Sequence, residues 1–202
     1  MSRPARPLEP LKSKALLTVA GDAFATEGLD GASLNDILSR AGMGKGSFYH
    51  RFADKAALHD WVTTTMAQLI LSEIAVPDLR ALTAASFRPE LSALLVRFQR
   101  LAAAQPELMN LGRMFHNSAD APPGSAISTV RSAVIGWITA ALATGRDLGV
   151  IRSDLPADLL SAWTVASLST IDTWVLDADG DPASLGEVAA KAVDAFWGLL
   201  AR

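Results

Sequence analysis

Residues 33–52, SLNDILSRAGMGKGSFYHRF, constrain the fold more than any other stretch, because they predict two short helices joined by a glycine-bracketed turn. Ser33 is the predicted N-cap of the first helix, and apolar residues follow it at helical spacing. Gly42 ends this helix. The turn after it has the length and glycine content of a helix-turn-helix. A second helix is predicted from about Lys45 to Phe52.

The second predicted helix has one apolar face. Phe48 and Phe52, four residues apart, form its inward side. Its other side chains point away from this face: Lys45, Gly46, Ser47, Tyr49, His50 and Arg51. Two cations, two hydroxyls, a histidine and a glycine are typical of a helix laid against DNA, where cations neutralise phosphates and hydroxyls bond to phosphate oxygens. A charged helix on the surface of an all-α protein is the alternative interpretation.

An earlier helix is predicted from Leu11 to Glu27, with Gly28 as its C-terminal stop and residues 29–31 as the connecting turn. Residues 1–10 carry three prolines and are predicted to be a flexible arm, either a disordered terminus or a segment that reaches a DNA groove. Three helices thus occupy the first fifty or so residues. Their predicted common core comprises Leu17, Phe24, Leu34, Ile37, Leu38, Phe48 and Phe52.

The run LLTVAGDAFATEGLDGASLNDILSRAGMGKGSFYHRFADKAALHDWV resembles the N-terminal DNA-binding domain of the TetR family of bacterial transcriptional regulators. The matching features are AxxxFxxxG in the first helix, SLNDI and AGMGKGSFYHRF in the helix-turn-helix, and DKAAL after it. Two glycines depart from the family pattern. Gly21 weakens a helix interior by about 1 kcal/mol, whereas Gly44 is acceptable at an N-cap.

The resemblance implies which residues bind DNA. Lys55, at the start of the fourth helix, is implied to contact a phosphate, and Ser33 to offer its hydroxyl and backbone N–H to another. Sequence preference is expected mainly from Lys45, His50 and the backbone at Gly46. The implied DNA-binding residues are Ser33, Lys45, Gly46, Ser47, Tyr49, His50, Arg51 and Lys55.

The rest of the chain is also predicted to be helical, and no strand pattern is found. A long fourth helix is predicted from the N-cap Asp54 to about Ile74. Prolines at helix starts and glycines at helix ends predict further helices at 78–85, 89–104, 106–115, 123–148, 156–177 and 184–201. The predicted fold is all-α with about nine helices: a helix-turn-helix DNA-binding domain at 1–55 and a helical effector-binding and dimerisation domain at 56–202.

The last two predicted helices carry more apolar surface than one chain covers. In 184–201 a narrow stripe of Glu187, Lys191 and Asp194 leaves most of the circumference apolar, and 156–177 has a similar pattern. Surplus apolar surface usually marks an interface. The resemblance implies that both helices pair with their twofold mates as a four-helix bundle. Simple core helices of a monomer are the alternative.

A small-molecule site in the helical body is also implied by the resemblance. Trp163, Ser167, Thr170 and Trp174 share one predicted helical face. An aromatic and methionine stripe at this spacing fits an ordinary core equally, and both interpretations stay open. Because the candidates carry few charges, the effector is expected to be largely apolar. The candidate residues are Phe98, Met109, Met114, Phe115, His116, Trp137, Trp163, Ser167, Thr170 and Trp174.

Composition bears on the cellular compartment of the protein and on the charge of its two parts. The chain has no cysteine, which excludes disulfides and thiolate metal sites and is compatible with the cytoplasm. No export signal is predicted, because the N-terminal MSRPARPLEPLKSK has cations but no apolar core behind them. No membrane span is predicted, because the longest uncharged run lies between Arg131 and Arg146 and falls below the roughly 18 residues that a span requires. Residues 1–55 hold eight basic and six acidic side chains, a balance of +2, against ten and fifteen, −5, in 56–202. The N-terminal part is therefore better suited to phosphate.

The expected function is a ligand-responsive transcriptional regulator of the repressor type, which binds a pseudo-palindromic operator as a homodimer and is released by a small effector. An enzyme is the second class. No catalytic residue, metal site or cofactor is predicted, because the histidines lack ligand spacing and the carboxylates Asp177 and Asp179 occupy a turn. The third class is a helical interaction module without DNA binding, against which the polar face of 45–51 argues.

Overall fold

The computed structural model describes residues 10–118, 120–178 and 182–201, and these ranges form nine α-helices without a strand. The helices are α1 Pro10–Gly31, α2 Leu34–Arg40, α3 Lys45–Tyr49, α4 Lys55–Ile74, α5 Phe87–Ala104, α6 Asn110–Asn117, α7 Ala126–Asp147, α8 Ala157–Asp177 and α9 Pro182–Leu200. Two short 3-10 helices span Leu79–Ala81 and Pro106–Met109. The prediction of an all-α fold with about nine helices is confirmed. Residues 1–9 of the predicted arm lie outside the described residues.

Several predicted helix boundaries are wrong. Gly28 does leave helical geometry, with φ 70° and ψ 176°, but the chain resumes a helical course to Gly31 instead of forming a turn. The predicted helix at 78–85 is only a 3-10 turn, because the Asp78 side chain caps the Arg80 N–H and Leu82 is already extended. The predicted helix at 106–115 is divided into the second 3-10 helix and α6.

The chain forms two compact units, of which the first comprises the residues up to Leu69 together with Glu107–Val130. In this unit α1 packs against α2 and α6. Most of the predicted core is buried, but Leu17 and Leu34 are only half-buried. In α1 it is Leu16 rather than Leu17 that faces inward. The buried members of the predicted core are Phe24, Ile37, Leu38, Phe48 and Phe52.

Side chains of the first unit also close its helix ends. Asp54 accepts a hydrogen bond from the Ala57 N–H at 2.8 Å, which confirms it as the predicted start of α4. Asp60 accepts from the Ala126 N–H at 2.9 Å and so caps the first turn of α7. Since the first N–H groups of a helix lack intrahelical acceptors, both carboxylates stabilise the helices that they cap.

The second unit comprises Ile70–Pro106 and Arg131–Arg202. Its core contains six buried side chains, contributed by α5, α7, α8, α9 and the segment before α8: Phe87, Leu142, Ile151, Leu160, Phe196 and Leu200. Gly145 is required here by close packing, because a Cβ at this position would lie 2.4 Å from Ile151 Cγ1. The division of the chain at residues 55 and 56 remains a prediction about domains.

Among the described residues, two helices are long and apolar enough to cross a membrane by length and composition alone, Ala126–Asp147 and Ala157–Leu176. Only 17% and 11% of their most apolar windows are buried within the chain. Their apolar surface thus exceeds what the single chain covers. Because length and composition also fit helices that pack against another protein, this observation is weak evidence for a membrane.

Candidate nucleic-acid interface

A compact turn joins α2 to α3. The Ser33 hydroxyl accepts from the Asp36 N–H at 3.4 Å as the N-cap of α2. Gly42 has φ 64°, in the left-handed region that glycine adopts without a steric penalty, and the Met43 N–H donates to the Leu38 carbonyl at 2.9 Å. Gly44 is extended and begins α3. The predicted helix-turn-helix is therefore present, although α3 ends at Tyr49 rather than at Phe52.

Phe48 anchors α3 to the unit beneath it. Its side chain is fully buried, and its ring lies 5.4 Å from Phe52, which in turn lies 5.6 Å from Trp61 of α4. Tyr49 contacts the Phe48 ring edge-on at 5.0 Å but remains 60% exposed. The aromatic series fixes the rotation of α3 about its axis, so that the rest of the helix points outward.

The exposed side of α3 is polar, and we call Lys45, Gly46, Ser47, Tyr49, His50 and Arg51 the polar face. All except Arg51, which is half-buried, are exposed. A Cβ placed on Gly46 would have no neighbour within 4 Å, so packing inside the protein does not require glycine there. A binding partner that comes close to the backbone at position 46 would require glycine there.

The cations of the polar face, Lys45 and Arg51, differ from the neighbouring Arg40 in their ion pairs. Across the part of the chain that the structure describes, no carboxylate forms an ion pair with Lys45 or Arg51. Arg40 instead pairs with Asp22 at 3.1 Å and Asp36 at 3.3 Å, and these carboxylates raise the pKa of Arg40. Arg40 thus joins α2 to α1, while Lys45 and Arg51 keep their charge for an external anion.

Two predicted phosphate contacts make internal hydrogen bonds. Ser33 uses its hydroxyl oxygen as the N-cap, and Lys55 Nζ donates to the Asp30 and Ala32 carbonyls at 3.0 and 2.9 Å. The serine O–H and one ammonium N–H are left for other acceptors. Both phosphate contacts stay predictions, and no sequence pattern indicates the bonds from Lys55 to backbone carbonyls.

The predicted effector residues are divided between the two units: Met109, Met114, Phe115 and His116 lie in the first, and Phe98, Trp137, Trp163, Ser167, Thr170 and Trp174 in the second. Met114 is buried in the first core, whereas Trp163 and Trp174 are exposed, Trp163 with its ring 5.9 Å from Phe196. The Thr170 hydroxyl donates to the Ala166 carbonyl. A binding role for any of them remains a prediction.

A cleft of about 260 Å³ in the second unit was not predicted. Arg97, one of its lining residues, donates to the Ile74 and Ala75 carbonyls at 2.7 and 3.0 Å and so holds the end of α4, where Ala75 has φ 44°. Isolated arginines at helical spacing do not signal such a cleft in a sequence. Its lining is more polar than the predicted aromatic site: Glu73, Arg97, Arg100, Leu101, Ala104 and Gln105.

Elsewhere in the described part of the chain, the surroundings of His59 and Asp154 lower the pKa values of both groups. His59 is buried with its ring 5.0 Å from Phe24, and this burial lowers the pKa of His59 while the charge of Asp60 opposes the decrease. On the surface, Arg152 lowers the pKa of Asp154 to about 2 through a hydrogen bond. Among the described residues, no group of three histidine, aspartate or glutamate side chains is arranged to hold a metal ion.

Comparison with known families agrees with this geometry. Residues 16–60 match the sequence model of bacterial regulatory proteins of the tetR family. This match covers less than half of the chain. The match contains α2, the turn and α3, so the predicted resemblance is confirmed, and with it the DNA-binding helix-turn-helix of a transcriptional regulator. No curated protein sequence matches the chain.

Solved TetR-type structures share the fold over the whole chain. A TetR family transcriptional regulator from Chloroflexus aurantiacus is 22% identical, with a TM-score of 0.69 and coverage of 96% of this chain and 95% of that one. The ketosteroid transcriptional regulator KstR2 of Mycobacterium tuberculosis is 20% identical, with a TM-score of 0.69 and coverage of 99% and 100%. AibR, in complex with isovaleryl coenzyme A and operator DNA, is 16% identical, with a TM-score of 0.68 and coverage of 94% and 97%.

Proposed function

We propose that this TetR-type regulator is a cytoplasmic repressor that binds a pseudo-palindromic operator as a homodimer and leaves it when a small effector binds. The polar face is the observation that carries the proposal. It presents Lys45 and Arg51, which form no ion pair with a described carboxylate, on a helix that the buried Phe48 anchors. A helix of this kind enters the major groove, and a dimer places two of them one helical turn of DNA apart.

The polar face contains groups for both backbone and base contacts. Lys45 and Arg51 neutralise phosphates, and the Ser47 and Tyr49 hydroxyls donate to phosphate oxygens, which positions the helix without reading sequence. His50 points toward the base edges, where an imidazole N–H or ring nitrogen distinguishes donors from acceptors. Gly46 permits close approach of the backbone, since nothing in the protein occupies the space beside it.

The second copy is proposed to cover the apolar surface of α8 and α9. Leu159, Val188 and Leu199 are all roughly half exposed in the single chain, the last at 50%. Small exposed residues on the same helices, among them Ala162 and Ala195, allow close helix approach. Covering large apolar side chains stabilises an assembly by about 25 cal/mol per Å² of area removed from water.

The effector is proposed to be a small, largely apolar molecule held in the helical body. One structural relative is connected with such a compound by its name, a ketosteroid regulator, and another was solved with isovaleryl coenzyme A, whose acyl group is apolar but whose coenzyme A part carries phosphate charges. An effector changes operator affinity only if it binds the released state more tightly than the bound state. A ketosteroid and isovaleryl coenzyme A are therefore suitable first probes of release.

The test is selection of bound fragments from genomic DNA by the purified protein, followed by mobility shifts at several salt concentrations. We expect one enriched pseudo-palindrome, a complex with two protein copies, and affinity that falls steeply with salt. Enrichment of no sequence, together with salt-independent binding, would leave an interaction module without DNA binding as the better account. Release by either probe would identify the effector class, and release by neither would count against both compounds.

A further inference from the structure

The two ends of the helix-turn-helix segment meet at a single ammonium group. The segment 33–54 follows Ala32 and precedes Lys55, the first residue of α4. Lys55 Nζ donates to the Ala32 carbonyl at 2.9 Å and to the Asp30 carbonyl at 3.0 Å, across 23 and 25 positions of sequence. The contact therefore closes the chain around α2, the turn and α3.

Electrostatics favours this placement of the lysine. A cation in the first turn of its own helix is unfavourable, because the helix N-terminus carries partial positive charge. The Asp30 carbonyl, near the end of α1, and the Ala32 carbonyl, just after it, both carry partial negative charge. Lys55 is half-buried against them, and two of its three N–H donors are used.

Other contacts hold the middle of the segment rather than its ends. Phe48 and Phe52 pack toward Trp61, and Arg40 forms its exposed ion pair with Asp22 of α1. The entry into α2 is held through Ala32, whose side chain is buried and whose carbonyl accepts from Lys55. Ser33, the N-cap of α2, follows it directly.

We infer that Lys55 is a positioning residue for DNA recognition: its ammonium joins the end of α1 to the start of α4 and so fixes where α2 and α3 stand on the domain. This inference rests on the proposed DNA binding but assigns Lys55 a role other than the predicted phosphate contact. A positioning residue affects discrimination between sequences, because the polar face must be aligned with base edges. A phosphate contact affects all duplexes alike and contributes to the salt dependence.

The experiment compares Lys55→Met with Lys45→Met, since each removes one ammonium from the same domain. The probes are a duplex enriched by the native protein from a random-sequence pool and a scrambled duplex of equal composition. For Lys55→Met we expect about tenfold weaker binding to the enriched duplex, little change on the scrambled one, and an unchanged slope of log K against log salt. For Lys45→Met, which removes both a phosphate charge and an expected base contact, we expect loss on both duplexes, larger on the enriched one, and a slope smaller by about 0.9.

A readout without DNA separates positioning from contact. Hydrogen exchange of the amides at 33–37, measured on the free protein, should accelerate in Lys55→Met and remain native-like in Lys45→Met. Lys55→Arg, which keeps a charged donor pair, should restore discrimination and slow exchange. If Lys55→Met does not fold by circular dichroism, Lys55→Ala, which also removes the ammonium and its N–H donors, takes its place with the same expectations.

The inference is overturned if the uncharged variant lowers the salt slope by about 0.9 and weakens both duplexes equally, because a phosphate contact then explains Lys55. Native-like discrimination and exchange in that variant would overturn it as well. If the native protein enriches no duplex at all, the proposed function fails, and the inference fails with it. Enrichment by the native protein combined with indifference to Lys55 refutes the inference alone.

Discussion

The polar face of α3 and the outer surfaces of α8 and α9 are both exposed, but their chemistry is opposite. On α3 the exposed groups are cations, hydroxyls and an imidazole, while on α8 and α9 they include Leu159, Val188 and Leu199. A polar face is well solvated in water, and it makes a further favourable contact only when an anion binds. Exposing an apolar face to water is unfavourable whether or not a ligand is present. We therefore expect a salt-sensitive, reversible contact at the first surface and a permanent one at the second.

The largest effect should follow from removing the anchor of the polar face. Phe48→Ala is expected to decrease the free energy of unfolding by about 3–5 kcal/mol, because a fully buried ring is replaced by a cavity. Urea denaturation followed by circular dichroism measures this. The variant should also lose DNA binding, since α3 no longer has a fixed orientation.

Tyr49→Ala is the matched control for Phe48, because the two aromatic side chains are adjacent and differ mainly in burial. We expect it to change stability by well under 1 kcal/mol, as is usual for exposed positions, while weakening DNA binding. Equal destabilisation by both variants would mean that the outward side of α3 is packed, and the contrast between the two surfaces would be lost.

The apolar surface is tested by placing a charge on it. Val188→Glu on α9 should weaken the dimer by about 10- to 100-fold, or roughly 1.4–2.7 kcal/mol, because a carboxylate is transferred into an apolar interface. Analytical ultracentrifugation at several protein concentrations gives the dimer dissociation constant. DNA binding should decrease in parallel, since one copy reaches only one half-site.

Val134→Glu on α7 is the control, since Val134 and Val188 have the same side chain and nearly equal exposure, 48% and 46%. Val134 lies outside the two helices predicted to pair. If Val188→Glu leaves the dimer intact and Val134→Glu disrupts it, the interface lies on α7 instead.

The first unit was predictable from sequence because its signals are local. Ser33, Gly42 and Asp54 each act within a few residues, as a cap or a turn, and the structure has them in these roles. Gly21 departs from the family pattern. A Cβ there would lie 2.3 Å from Met66 Cε, the flexible end of a side chain 45 positions away, so the close packing at Gly21 is a long-range feature that no local pattern indicates.

The candidate site was predictable in its exposed groups but not in its internal bonds. Helical periodicity separates Phe48 from Lys45 and His50, and the structure agrees. The contacts of Lys55 with Asp30 and Ala32 involve backbone carbonyls, which have no sequence signature. The cleft beside Arg97 depends on the end of α4 and on α5, so no single periodic pattern indicates it.

A smaller effect is expected when single groups of the polar face are altered. Tyr49→Phe removes one hydroxyl and should weaken binding by about 0.5–1.5 kcal/mol on every sequence. His50→Ala should instead change which base is preferred, because its imidazole faces base edges in the proposed complex. Binding to a library of single-base variants of the enriched duplex separates the two. If His50→Ala weakens binding to all variants of the duplex equally, His50 contacts phosphates rather than base edges.

The smallest expected effect concerns pH and compares the exposed His50 with the buried His59. Burial lowers the pKa of His59 below the ordinary value of 6.5, so that the unfolded chain takes up a proton first as pH falls. The stability that neutral His59 provides is therefore complete above pH 6.5 and is lost as pH falls toward its folded pKa. Within the first unit, Asp60 opposes this loss through its charge.

Thermal melting at pH 7.5 and 5.5 tests the histidine comparison. The native melting temperature should decrease by a few degrees between these values, and His59→Phe should remove part of that decrease, because its ring carries no proton beside Phe24. His50→Ala should follow the native protein, since the His50 side chain is exposed and makes no buried contact in the folded chain. A decrease of equal size in all three proteins would attribute the acid sensitivity to carboxylates and not to His59.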